Sequence, residues 1–151
     1  MNTDSTATAP ESAGEDRLLI VELRGELYGI DSGTVREIVA NLAATRLPGA
    51  PPYVRGVVNL RGQLLTVVDL GHRLTGMPAP ATEGSIVVIT AAERVLGLMV
   101  DDVHDVQGLL VVAAEREVLA RAEGLLTGVG RLGDEVVLVV DVPELVRQTL
   151  A

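Results

Sequence analysis

Cysteine is absent from the 151 residues. Disulfides, thiolate nucleophiles, zinc-thiolate sites and iron-sulfur clusters are thereby excluded. Lysine is absent as well, since all 12 basic residues are arginine. A guanidinium does not deprotonate in proteins, so the Schiff-base lysine, the lysine general base and the P-loop lysine go together, and most nucleotide and pyridoxal chemistry with them. Aromatic residues are limited to Tyr28 and Tyr53, and the net charge is -9. A nucleic-acid binder needs stacking platforms and a basic field, and an aromatic-lined groove for proline-rich peptides needs rings; neither is present, and no nucleic-acid partner is expected. No apolar run approaches the ~20 residues of a membrane-spanning helix, and the start MNTDSTATAPESAGED has neither a basic region nor an apolar one. A soluble cytoplasmic protein without direct membrane insertion is expected.

What remains is a chain of one ordinary domain or two very small ones, 48% hydrophobic, long enough for a real core. Residues 1–16 carry four acids, no arginine and almost nothing to bury, which predicts a disordered acidic tail. From Arg17 onward, short β-branched runs alternate with Gly, Pro and Asp: RLLIVEL, ELYGI, RGVVNL, QLLTVVDL, SIVVIT, RVLGLMV, DVQGLLVV, LLTGVGRL, EVVLVVD. Runs of this length between turn signals predict an all-β barrel or sandwich. Helical candidates are few: DSGTVREIV with Asp31 or Ser32 as N-cap, EREVLARA, and PELVRQTL at 143–150. Residues 39–75 hold four arginines against Asp69, a basic segment inside an acidic protein and a candidate for display to a partner.

Arg24-Gly25, Arg61-Gly62 and Gly133-Asp134 each lie between two apolar runs and read as tight hairpin turns, with a glycine supplied for positive φ. The chain also repeats itself. GVVNLRGQLLTVVDL from Gly56 lies over GVGRLGDEVVLVVDV from Gly128 without a gap, at an offset of 72. LYGI from Leu27 lies over VLGL from Val95, and VREI from Val35 over VHDV from Val103, at an offset of 68. Each half would be too small for a stable core alone, so two small barrels sharing an apolar interior are expected, at about 17–80 and about 84–142. The halves differ in places: Arg61 faces Gly133 in the repeat, and Glu37 faces Asp105. An arginine on one hairpin tip only is not demanded by a shared fold, which points to binding or to a specific ion pair with Glu37.

Candidates for catalysis are sparse. The bases are His72 and His104. His72 in DLGHRL has the setting of an ordinary exposed residue after a strand, and Ser85 lacks a nucleophile-elbow context. Asp101, Asp102, His104 and Asp105 in VDDVHD offer oxygen and imidazole ligands to a divalent ion, without a spaced second cluster to complete the shell. A metal-binding β protein is the weaker alternative, no cofactor is expected, and a non-catalytic module is favoured.

VRGVVNLRGQLLTVVDL resembles the signature of the CheW-like domain family, and LYGID, VREIV, LPGAPPYVRG, RVLGLMVDDVHDV and LLTGVGRLGDEVVLVVDVPEL continue the resemblance in order, from Arg17 to about Leu145. The resemblance implies two five-stranded SH3-like barrels with a few short helices, no enzymatic activity, and a scaffold in a chemosensory array beneath the inner membrane. It implies two partners, the regulatory domain of a CheA-type histidine kinase and the cytoplasmic tip of a methyl-accepting chemoreceptor. The chain would be a monomer when isolated and an array member in the cell. An adaptor of the same fold in a non-flagellar motility or other chemosensory-like pathway is the alternative. By the same resemblance the important Glu and Arg fall on Glu37 and Arg61, with Val35, Ile38, Gly56, Asn59 and Gly62 as neighbours; Ile86 and Val88, in the strand Ile86 to Ile89, are further candidates for a groove between the barrels.

Overall fold

The structure is a computed structural model that describes residues 15–79 and 84–150. The chain runs β1 (Glu15–Leu23), β2 (Glu26–Asp31), β3 (Val35–Ala40), β4 (Val54–Leu60), β5 (Gln63–Asp69), α1 (Leu70–Thr75), β6 (Ser85–Ala91), β7 (Arg94–Val100), β8 (Asp102–Ala113), α2 (Arg116–Arg121), β9 (Leu126–Leu132), β10 (Glu135–Val140) and α3 (Val142–Leu150). The expected acidic tail lies outside the described residues except for Glu15 and Asp16. These two belong to β1, opposite Leu110 and Leu109 of β8, which corrects the boundary at 16.

The fold is all-β, and the strands fall into two five-stranded sheets. One is a closed barrel in the order β1-β2-β10-β9-β8, with β1 returning to β8; the other has the order β3-β6-β7-β5-β4. Division at residues 80–84 is therefore corrected. The closed barrel takes β1 and β2 from the first half of the chain and β8, β9 and β10 from the second, and the other sheet takes the complement. The two orders are the same cycle once each strand is replaced by its repeat. In each sheet a parallel pair joins the halves, β2 with β10 and β5 with β7. The halves are interlocked rather than placed side by side.

The second sheet leaves β3 and β4 as its edges. They approach through a single bridge after β3, where Thr45 N donates to Val57 O at 2.9 Å and Val57 N donates to Thr45 O at 2.8 Å. Gly56 makes this approach possible: its φ is +134°, and a Cβ there would lie 2.1 Å from Thr45 O.

Three apolar clusters fill the molecule. Leu18, Ile20, Leu109, Val137 and Val139 occupy the closed barrel, and Val58, Leu65, Val67, Ile86, Val88 and Met99 occupy the other sheet's concave side. The largest cluster lies between the sheets, with Leu19, Val21, Leu23 and Ile30 meeting Val68, Val87, Ile89, Leu96 and Leu98, closed by Val142, Leu145 and Val146 of α3. Successive residues such as Leu18 to Val21 and Ile86 to Ile89 are buried on both faces. That explains why these strands read as unbroken hydrophobic runs instead of alternating ones.

Two local expectations change. DSGTVREIV forms one 3-10 turn at Ser32–Thr34, in which Asp31 Oδ1 accepts from Gly33 N at 3.0 Å, and then continues as β3. Val35, Ile38 and Val39 are β-branched and favour the strand. DLGHRL forms α1, capped by Asp69, whose Oδ1 accepts from His72 N at 3.1 Å. Asp141 repeats this cap at α3, accepting from Glu144 N at 3.0 Å.

Candidate functional site

The hairpin between β4 and β5 turns on Arg61 and Gly62, with φ of 51° and 85°. Both central residues are left-handed, the requirement of a two-residue type I′ hairpin. Asn59 Oδ1 accepts from Gly62 N at 2.8 Å and fixes the turn. The geometry presents Arg61 toward β3, where its guanidinium forks onto Glu37: Nη1 donates to Oε2 at 2.7 Å and Nη2 to Oε1 at 2.5 Å. The hydrogen bonds from Arg61, the Arg61 charge and that of Arg36 hold the Glu37 carboxyl below its ordinary range, and the same pairing pushes Arg61 upward. The pair ties the two edges of the open sheet together at the end away from the Thr45–Val57 bridge. In the closed barrel the corresponding edges, β8 and β9, are joined by their own ladder, and Gly133 stands in place of Arg61. This accounts physically for an arginine on one tip only.

Around the pair the surface is mixed, with Arg36 and Gln63 beside Leu60, Leu64 and Val95. Leu64 is 78% exposed, Ile38 44% and Val95 36%, and a depression of about 410 Å³ opens between Glu37, Arg61, Leu64 and Val95. Val35 is half-buried against the core between the sheets. Gly56 and Gly62 shape backbone, while Asn59 is exposed and uses its Oδ1 on the turn. Ile86 and Val88 are corrected: β6 is flanked on both sides by strands, Ile86 is 0% and Val88 3% exposed, and both sit in the concave core. Val88 reaches only the floor of the depression.

Sequence reasoning treated Arg24 as a turn residue, and the structure shows more. At the β1–β2 tip (φ 51°), Arg24 reaches across to the other sheet. Its Nη2 donates to Asp69 Oδ1 at 2.8 Å, Nη1 to Asp101 Oδ1 at 2.5 Å and Nε to the Met77 carbonyl at 2.8 Å. Asp69 is wholly buried and also accepts from Ala79 N at 3.0 Å, with Arg55 at 3.9 Å. A Cβ on Gly71 would lie 2.5 Å from the Arg24 guanidinium, so a side chain there would displace that group. The signal was available in the repeat, where Asp69 recurs as Asp141 and Arg24 is replaced by Ala92.

The four residues considered for a metal are not gathered. Asp101 is engaged by Arg24, while Asp102 and His104 meet Glu22 of β1 instead, with ligand atoms all within 4.8 Å of one another. His72 lies in α1, where its N–H serves the Asp69 cap.

The CheW-like domain model matches residues 17–150. The chain belongs to the CheW-like domain family. It is 34% identical over 146 residues to the chemotaxis protein CheW of Klebsiella aerogenes, covering 92% of this chain and 88% of that one. The CheW of Bacillus subtilis is 32% identical over 119 residues, covering 78% and 73% of the two chains. The crystal structure of the scaffolding protein TtCheW from Thermoanaerobacter tengcongensis superposes with a TM-score of 0.73 at 25% identity, over 84% of this chain and 89% of that one. These relatives make the protein a chemotaxis adaptor of the CheW type, in a family of non-catalytic scaffolds. No described helix is long and apolar enough to cross a membrane.

Proposed function

We propose that this protein couples the cytoplasmic tip of a chemoreceptor to the regulatory domain of a CheA-type histidine kinase, without chemistry of its own, in an array beneath the inner membrane. The observation that carries the proposal is the forked Glu37–Arg61 pair, displayed at the open side of a barrel and framed by Leu64 and Val95. Exposed apolar side chains around an oriented, rigid charge pair make a small docking edge: the apolar atoms supply area, and the pair supplies register. The family membership supports the choice of partners. Exposed ion pairs contribute little to stability, so the pair's value lies in shape and recognition.

Titration of the purified protein against the kinase regulatory domain and against a receptor-tip fragment tests the reading. Wild type binds at least one of them in the micromolar range, and Arg61→Glu weakens that binding at least tenfold while the fold is retained. Glu37→Arg combined with Arg61→Glu restores part of it. Absence of binding to both fragments overturns the proposal, and equal behaviour of single and double variants removes the pair from it.

A further inference from the structure

Both barrels have a polar mouth at equivalent ends, and the repeat allows them to be compared residue by residue. In the open sheet the mouth holds Arg36, Glu37, Gln63 and Val95, with Arg61 over them. In the closed barrel the repeat places His104, Asp105, Glu135 and Leu27 at those positions, around a depression of about 240 Å³ into which Glu22 also projects. Gly133 replaces Arg61. One mouth thus carries its own guanidinium, while among the described residues no arginine lines the other, which holds Glu22, Asp105 and Glu135 together with His104. Elsewhere the principal acids of the fold have arginine partners, as in Asp69 and Asp101 with Arg24, Glu123 with Arg73, and Glu144 with Arg147.

From this we infer that a divalent transition cation of the zinc class binds at the rim of the closed barrel's mouth, ligated by Glu22 and His104, which line it, and by Asp102 beside them, whose ligand atoms lie within 4.8 Å of one another. The three lie on the last residues of β1 and the first of β8, opposite one another in the ladder, where Glu22 pairs with Asp102. The β1–β8 register shifts between Leu19 and Val21, so Ile20 faces both His104 and Asp105. Such a bulge re-aims side chains, and here it brings both into the same depression. His104 Nε2 and Glu22 Oε1 are 3.3 Å apart. Bonds of 2.0–2.1 Å in a tetrahedral shell place neighbouring ligand atoms about 3.3 Å apart, so these two atoms already stand at a ligand-to-ligand edge. Asp102 Oδ1 accepts from Val103 N at 2.9 Å, which orients its carboxylate. The imidazole separates this arrangement from a solvated acidic patch, since one nitrogen with two carboxylates favours zinc, cobalt or nickel over magnesium or calcium. Water fills the remaining positions.

The chain has only two histidines, which makes the test direct. Full-length protein is titrated with zinc chloride by calorimetry and with paramagnetic nickel or cobalt ions while the histidine ring protons are followed by NMR. The expected result is saturable one-to-one binding, selective broadening of the His104 ring signals, and at least tenfold weaker binding in His104→Gln and in Glu22→Gln, with His72→Gln unchanged. Thermal melting of each variant without metal confirms its fold. Lack of saturable binding, equal broadening of both histidines, or undiminished affinity in folded His104→Gln overturns the inference. Retained binding in Arg61→Glu keeps this site distinct from the partner surface.

Discussion

Replacement of Arg24 by Met removes a guanidinium that is 10% exposed at its side chain and leaves Asp69, at 0%, in the interior. Methionine retains an unbranched stem, so packing over Gly71 changes little and the charge effect dominates. Removing one partner of a buried pair costs ~3–5 kcal/mol, because the remaining charge is stranded. Asp69 here keeps two backbone donors, His72 N at 3.1 Å and Ala79 N at 3.0 Å, and a distant Arg55 at 3.9 Å. These lower the loss to ~2–4 kcal/mol, on the order of 5–15 °C in Tm for a domain of this size. Urea unfolding at neutral pH, followed by circular dichroism, measures the cost as a lower midpoint at unchanged m value. Arg24→Met combined with Asp69→Asn supplies the decisive comparison: asparagine keeps the helix cap but buries no charge, so the double variant recovers part of what the single one loses. Asp141→Asn, at the equivalent cap without an arginine, costs only about 1 kcal/mol or less. An Arg24→Met loss below about 1 kcal/mol, or strictly additive effects in the double variant, would refute the picture of Arg24 as a buried inter-sheet tie.

Gly56→Ala forces a Cβ to 2.1 Å from Thr45 O at a φ of +134°, and its expected cost of about 3–5 kcal/mol is read by the same unfolding experiment. Glu144, hydrogen-bonded by Arg147 and Gln148 and beside the Arg147 charge, has its pKa lowered from 4.5 to about 2. A lowered carboxylate contributes stability above its unfolded pKa and loses it as pH falls through the folded one. Protection of the α3 amides against hydrogen exchange therefore decreases between pH 4.5 and 2 in the wild type, and Glu144→Gln flattens that profile. Because each sheet draws strands from both halves, fragments 1–80 and 81–151 remain unfolded separately and regain the native circular dichroism when mixed; a folded isolated fragment would contradict the interlocked topology.

The all-β class and the repeat were legible because turn glycines and β-branched runs are local signals. Strand exchange was not, since the same runs serve equally well in a sheet built from one half or from both; only the non-local partner of β2 and β5 decides it. The Glu37–Arg61 pair was legible through the difference between the repeats. Ile86 and Val88 were misplaced as groove residues because a strand buried on two faces offers no polar alternation to mark an inside and an outside. Arg24 and α1 were missed together. The N-cap Asp69 that nucleates α1 is also the arginine's anchor, and an Arg-Gly hairpin conceals any second role of its arginine.

The charge segregation seen in the sequence acquires a different meaning in three dimensions. The basic stretch from 39 to 75 suggested a displayed surface, yet three of its four cations are paired with acids of the fold. Arg55 donates to the Ala79 carbonyl and lies near Asp69. Arg73 joins α1 to the α2–β9 turn and α3 through Glu123 at 2.9 Å and Gln148 at 2.6 Å, with Tyr53 against its plane at 5.0 Å. Arg61 is committed to Glu37. Arg46, the fourth arginine of the stretch, is exposed. Arginine thus does in this molecule what lysine does poorly: a planar fork satisfies two or three acceptors at once and remains charged when partly buried. In a duplicated scaffold whose apolar strands are nearly interchangeable, the departures from symmetry, Arg24 against Ala92 and Arg61 against Gly133, distinguish the two ends of the molecule. The proposed coupling of two different partners would use such a distinction, and the exchanged strands hold both arginines in one frame.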